Sequence, residues 1–165
     1  MKTRVLIFIA MFFLSLSVDA QGENNNKPYK FGIGAMIFIP IGDFSQVDSG
    51  AFGYDLQGEY WTNRKFGLTF SAGYQEWVKE YSRIYNWSSI PLLAGFKYHL
   101  SKTIYVSGKA GLSFFTQNGK GSAFTYTPGL GFNITKQIDL LILYQSAFKY
   151  GERVEILGAR AGLTF

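Results

Sequence analysis

From residue 29 to residue 165 the chain repeats one pattern: segments of roughly ten residues in which apolar and polar side chains alternate, separated by short runs of turn-forming residues. An alternation of period 2 places residues i, i+2 and i+4 on one face, so each segment reads as a strand with one apolar face. Eight can be marked, at residues 29–39, 51–61, 66–76, 88–100, 103–115, 123–134, 138–148 and 154–165. In the second, Phe52, Tyr54, Leu56 and Tyr60 oppose Asp55, Gln57 and Glu59. In the third, Phe66, Leu68, Phe70, Ala72 and Tyr74 oppose Gly67, Thr69, Ser71, Gly73 and Gln75. Pro91 and Pro128 fall inside segments, where a missing N–H predicts a bulge or leaves the register uncertain.

Alternation alone does not say which face points outward, since a soluble lipocalin-like barrel has the same period with its apolar face inside. Three features decide for lipid. The connections alternate between tight (TNRK, SK, TKQ) and longer (residues 40–50, 77–87, 116–122 and 149–153), as in barrels with short periplasmic turns and longer external loops. Rings gather at segment ends, with Tyr29, Tyr60, Trp61, Phe66, Tyr98 and Phe132 near the tight turns. Trp77, Tyr81, Tyr85, Trp87, Tyr74, Phe124, Tyr126, Tyr144 and Phe148 gather near the longer ones, giving two belts for two interfaces. The polar face is rich in Gly, Ser and Thr with scattered charges, which suits a narrow interior. Ten or eleven residues rising ~3.3 Å each at a tilt near 45° span about 25 Å, the height of an outer-membrane apolar band. The expected fold class is all-β: a closed, antiparallel, eight-stranded transmembrane up-and-down β-barrel.

The chain begins with Lys2 and Arg4, an apolar run VLIFIAMFFLSL, and Val18-Asp19-Ala20 before Gln21, the layout of a secretory signal peptide cleaved after Ala20. The run is too short to span as a helix. Cleavage removes two cations and one carboxylate from a net charge of +5, leaving +4 without a clustered basic face, so nucleic acid is not expected as a partner. Residues 21–28 read as a flexible periplasmic lead and 29–165 as one barrel domain. The chain has no Cys, which excludes disulfides and thiol chemistry, and its one His and lack of an Asp-rich loop point to no metal site and no cofactor.

SIPLLAGFKYHL followed by a tight turn and TIYVSGKAGLSF, PIGDFS after the first strand, and a final strand ending in Phe165 together resemble the small outer-membrane β-barrel proteins of the OmpX, OmpW and OmpA-transmembrane type. The resemblance runs from Tyr29 onward and lies in architecture more than in motif. It implies periplasmic termini and insertion by the barrel-assembly machinery, with Leu157, Ala159, Ala161, Leu163 and Phe165 matching the C-terminal assembly signal. It also implies outer-membrane lipid and lipopolysaccharide as surroundings. The chain departs from the peptidoglycan-tethered members in ending with its last strand.

The polar face carries Lys30, Asp55, Glu59, Lys97, Lys109, Asp139 and Arg160. Charges withdrawn from water must be paired, so cross-lumen ion pairs are expected, with Arg160 as hub because its fork binds carboxylates bidentately. Such a network is either structural or a gate. In the second long connection Trp77, Lys79, Tyr81, Arg83, Tyr85 and Trp87 mix aromatics with cations, the chemistry of a surface contact, or else of an aromatic belt continuing into the loop. His99, beside Lys97 and Ser101 at a tight-turn end, is poorly placed for catalysis at the outer leaflet. The residues favour a non-enzymatic envelope or adhesion barrel with a filled interior. A narrow channel, lined in part by Leu93, Leu141 and Leu143, is second; a lipid-modifying enzyme is third. The surface partner is not legible.

Overall fold

The computed structural model describes residues 28–42, 50–78, 88–116, 121–149 and 152–165. Eight strands follow in order: β1 (Tyr29–Pro40), β2 (Gly50–Trp61), β3 (Phe66–Val78), β4 (Ser88–His99), β5 (Ile104–Phe115), β6 (Gly121–Asn133), β7 (Ile138–Lys149) and β8 (Glu152–Thr164). Each pairs antiparallel with its neighbours in sequence, and β8 returns to β1 to close the barrel. Phe31 and Phe165 exchange backbone hydrogen bonds of 3.4 and 2.7 Å at that seam. Closure leaves no unpaired edge, the condition for a sheet to stand in hydrocarbon. The expected segments match the strands to within two residues at every end. The signal and lead segments, residues 1–27, lie outside the described residues.

The three tight turns share one local device. Asn63 Oδ1 accepts from the backbone N–H groups of Lys65 and Phe66 at 2.8 and 2.9 Å. Ser101 Oγ accepts from Thr103 and Ile104 at 3.2 and 3.0 Å, and Thr135 Oγ1 from Gln137 and Ile138 at 3.1 and 2.9 Å. A short polar side chain at the second turn position thus replaces ladder acceptors and fixes the hairpin.

The barrel is inside out compared with a soluble one. Outward stand Phe31, Ile33, Ile37, Leu56, Leu68, Phe70, Leu112, Leu140, Ile142 and Leu157, all exposed. Inward stand Asp55, Gln57, Glu59, Ser71, Lys97, Lys109, Asp139 and Arg160, all buried. A continuous apolar exterior of this extent would be insoluble in water, so it demands lipid. At the tight-turn end Tyr29, Tyr60, Phe66, Tyr98 and Phe132 lie on the outer wall, with Tyr29 and Tyr60 rings 5.1 Å apart. At the other end Tyr74, Phe124, Tyr126, Tyr144 and Phe148 do the same.

Two expectations change. Trp61 and Trp77 are not belt residues: both follow the inward parity of their strands, and Trp77 is 2% exposed. Position near a strand end does not override period 2, which sends odd-numbered β2 and β3 residues inward. The prolines cause neither bulge nor register shift. Ala72↔Leu92 and Gln75↔Ser89 flank Pro91 in one register, and Tyr126↔Ser146 and Gly129↔Leu143 flank Pro128 likewise. Each proline interrupts the ladder on one side and keeps its pairing on the other, Pro91↔Ser113 and Gly108↔Pro128. An antiparallel residue directs its N–H and C=O to the same neighbour, so the loss is confined to one ladder. Tyr81, Tyr85 and Trp87 lie outside the described residues.

Replacing Phe70, outward and mid-strand, by Arg is expected to cost about 2–4 kcal/mol of folding free energy in lipid vesicles. Lys136→Ala, in an exposed turn, should stay within about 0.5 kcal/mol; urea titration of tryptophan fluorescence measures both.

Candidate functional site: the crossed lumen

The interior is filled in tiers. Uppermost, toward the long connections, Phe38, Ala51, Trp77 and Ile156 pack as an apolar core, with Phe115, Ala123 and Ala147 forming a second cluster beside Val154. Below them Gln75 on β3 and Gln145 on β7 form a reciprocal amide pair, each Nε2 donating to the other's Oε1 at 3.0 Å. The pair spans strands that are not neighbours, so it crosses the lumen as a bar. Beneath it lies an internal cavity of about 30 Å³, walled by Met36, Leu93, Leu141 and Leu143 and floored by Asp55, Lys109 and Arg160. That volume admits a water or two and no larger solute.

The ionic tier follows. Arg160 Nε, on β8, donates to both oxygens of Asp55 on β2, at 2.9 and 3.1 Å, and its Nη1 lies 3.7 Å from Asp139 Oδ1 on β7. Tyr105 on β5 donates its hydroxyl to Asp139 Oδ2. A second group centres on Glu59, which accepts from Lys97 Nζ at 2.6 Å, Gln57 Nε2 at 2.7 Å and Trp61 Nε1 at 2.9 Å. Lys109 donates to Gln57 Oε1, and more weakly to Ser71 Oγ at 3.4 Å. Lys97 Nζ stands 4.5 Å from the Tyr105 ring centroid and joins the two groups through a cation–π contact. Among the described residues three buried cations thus face three buried carboxylates, and their charges balance.

Side chains reach across intervening strands because glycines lie beneath them. Asp139, Gly162, Gly34 and Asp55 stand in one register row across β7, β8, β1 and β2. A Cβ on Gly34 would lie 2.4 Å from both Arg160 Nε and Asp55 Oδ1, and one on Gly162 2.3 Å from Arg160 Nη1. A Cβ on Gly131 of β6 would enter the Tyr105 ring at 2.0 Å, and one on Gly158 would meet Phe38 at 2.4 Å. The lumen glycines are therefore the floor over which the network is laid.

Of the seven charges expected to share this network, the structure brings six together. Lys30 is exposed at the tight-turn mouth, where its Nζ lies 5.6 Å from the Trp61 ring centroid. It sits at the very start of β1, beyond the depth at which burial forces pairing. Arg160 is the centre of one group and not of both, since Glu59 is satisfied by Lys97, Gln57 and Trp61. Gln57, Tyr105, Gln75 and Gln145 belong to the interior network and were not singled out from sequence. Gln57 and Gln75 carried the signal of inward parity between charged or small residues. Tyr105 shares the inward parity of Ser107 and Lys109, but its partner Asp139 lies two strands away. His99 stacks on Trp61 at 4.8 Å and 7°, and its Nε2 lies 3.2 Å from the Asn133 amide. Trp77 is sealed inside the upper core, so it is unavailable as a surface contact; Lys79, Tyr81, Arg83, Tyr85 and Trp87 lie outside the described residues.

A polar, ion-paired interior inside an apolar exterior defines an integral outer-membrane barrel, and comparison with known proteins agrees. The family model of the outer membrane protein beta-barrel domain matches residues 6–164, and the chain belongs to that family. No match is found among curated proteins. Among solved structures, the attachment invasion locus protein Ail of Yersinia pestis is similar at 19% identity and a TM-score of 0.61, over 83% of this chain and 97% of that one. The N-terminal β-barrel domain of Pseudomonas aeruginosa OprF is similar at 14% identity and a TM-score of 0.60, over 82% and 97%. The outer membrane enzyme PagL is similar at 15% and 0.56, over 80% and 98%. At these identities the likeness is one of fold.

Removing the guanidinium while keeping bulk, in Arg160→Met, leaves Asp55 and Asp139 buried without their cation and is expected to cost about 3–5 kcal/mol. Adding Asp55→Asn and Asp139→Asn should recover most of that loss. Gly34→Ala should weaken the barrel in the same direction, by displacing the pair. The temperature at which the folded gel band converts to the unfolded one reports all three.

Proposed function

We propose that the protein is a non-enzymatic integral outer-membrane barrel with a closed lumen, acting in envelope integrity or surface interaction through its long connections. The observation that carries this reading is the crossing of the lumen by the Arg160–Asp55 pair and the Gln75–Gln145 bar, beneath a packed apolar core. A lumen crossed in tiers suits an anchor. Export behind a signal peptide cleaved near Ala20, in a Gram-negative envelope, fits the charged, apolar, small-residue order of residues 1–20. Insertion by the barrel-assembly machinery fits the outward row Leu157, Ala159, Ala161, Leu163 and Phe165.

In the sequence of the second long connection, Lys79 and Arg83 among Tyr81, Tyr85 and Trp87 supply the chemistry to hold anionic sugars such as those of lipopolysaccharide. The similar Ail barrel has been solved with the heparin analogue sucrose octasulfate, a polyanion. An enzymatic reading needs a nucleophile and base in reach of one another. His99, paired with Asn133 and stacked on Trp61, is better suited to closing the tight-turn mouth.

Single-channel recording of refolded residues 21–165 in a planar bilayer is the test. A folded, heat-modifiable barrel that passes no discrete current is the expected result. Reproducible unitary steps would replace the closed-anchor reading with that of a narrow channel.

A further inference from the structure

The three tight turns have a common feature that neither the fold nor the lumen uses. After the residue that fixes each turn, Asn63, Ser101 or Thr135, comes a cation: Arg64, Lys102 and Lys136 occupy the same third position, and Lys65 adds a fourth. All four side chains are exposed, and none takes part in an ion pair among the described residues. At this end of the barrel no Asp or Glu side chain is exposed among the described residues, since Glu59 and Asp139 are turned into the lumen. The opposite end mixes signs among the described residues, with Glu76 and Glu155 beside Arg153. Among the described residues the tight-turn rim is therefore a ring of positive charge with no exposed acidic side chain beside it.

Its position gives it a partner. The ring stands directly beyond the outward Tyr29, Tyr60 and Tyr98, which mark the edge of the apolar band. Short turns of such barrels face the periplasm, so the ring meets the headgroups of the phospholipid leaflet. Cations held at a bilayer surface attract anionic headgroups, and the attraction fades with distance and with salt. The turn device matters here: because Asn63, Ser101 and Thr135 spend their side chains on the backbone, the cation that follows each is held at the tip. We infer that the tight-turn rim is a binding surface for anionic phospholipids of the periplasmic leaflet, gathering phosphatidylglycerol-type headgroups around the barrel. The inference is independent of whether the lumen conducts.

The test is made on the refolded barrel in phosphatidylcholine vesicles carrying a small fraction of spin-labelled phosphatidylglycerol or spin-labelled phosphatidylcholine. The motionally restricted fraction of each label is measured. A several-fold preference for phosphatidylglycerol is expected, falling as ionic strength rises. It should vanish in the Arg64→Gln, Lys65→Gln, Lys102→Gln, Lys136→Gln variant, whose folding is checked by heat modifiability. A variant with Lys79, Arg83 and Lys120, which the sequence puts in the connections 77–87 and 116–122, changed to Gln should keep it. Equal restriction of both labels in the unaltered barrel, or a preference that survives the four-substitution variant, overturns the proposal. So does a rim that ignores phosphatidylglycerol yet retains soluble peptidoglycan fragments, since the partner would then be the cell-wall polymer.

Discussion

The interaction on which this barrel's interior depends is the Arg160–Asp55 pair laid across β1, with Gly34 beneath it. Eight strands enclose a space only wide enough to be filled by side chains. A charge in that space has no bulk water to turn to, so it must find an opposite charge, and adjacent residues on neighbouring strands do not always supply one. Arg160 stands opposite Met36 and Leu141 in the ladders. It reaches its carboxylates only by lying down along the wall, and a side chain can lie along the wall only where the wall has no Cβ. Gly34 and Gly162 are that bare wall. The same solution recurs for Tyr105 over Gly131, in a different tier and with a different partner.

Electrical balance makes the arrangement all-or-none. A fully satisfied buried network rigidifies its surroundings, whereas removing one member leaves the desolvation cost of the others uncompensated. The two carboxylate groups are arranged so that each has its own donors. Asp55 accepts the guanidinium Nε–H at both its oxygens while Glu59 collects an ammonium, an amide and an indole N–H. The contact of Lys97 with the Tyr105 ring ties them together, and that contact is weaker than either ion pair. The interior is thus two polar cores of separate stoichiometry and not one diffuse charge cloud.

Much of this was legible in the sequence, and the limits have physical causes. Period 2 located all eight strands because side-chain alternation is a property of the extended backbone itself. The same parity already assigned Asp55, Glu59, Lys97, Lys109, Asp139 and Arg160 to the lumen. What parity does not carry is depth. Trp61 and Trp77 were read as belt residues from their closeness to strand ends, although their odd numbers in β2 and β3 point inward. Lys30 was read as buried from parity alone, although the first turn of a strand lies at the mouth. Nor does one sequence carry register between distant strands, so the pairing of Gln75 with Gln145 and of Tyr105 with Asp139 required the closed sheet. The glycines were visible as a composition and invisible as a design, since a glycine's purpose here is set by what lies above it.

The two halves of the lumen are stabilised by different forces. Toward the long connections Phe38, Trp77, Phe115 and Ile156 are packed as in the core of a soluble protein. Their cohesion is dispersion and the exclusion of water, with no charged group to titrate or be screened. Toward the tight turns the filling is ionic, ending in a mouth where Trp61 lies against both His99 and Lys30. A seal of the first kind is insensitive to salt and tolerates exposure to the outside; one of the second kind is more specific in geometry. Between them lies the small cavity, the place where apolar walls meet an ionic floor and neither kind of packing is complete. Loss of a single ion pair would therefore leave the outer half packed, because the residues that close it do not use the charges below.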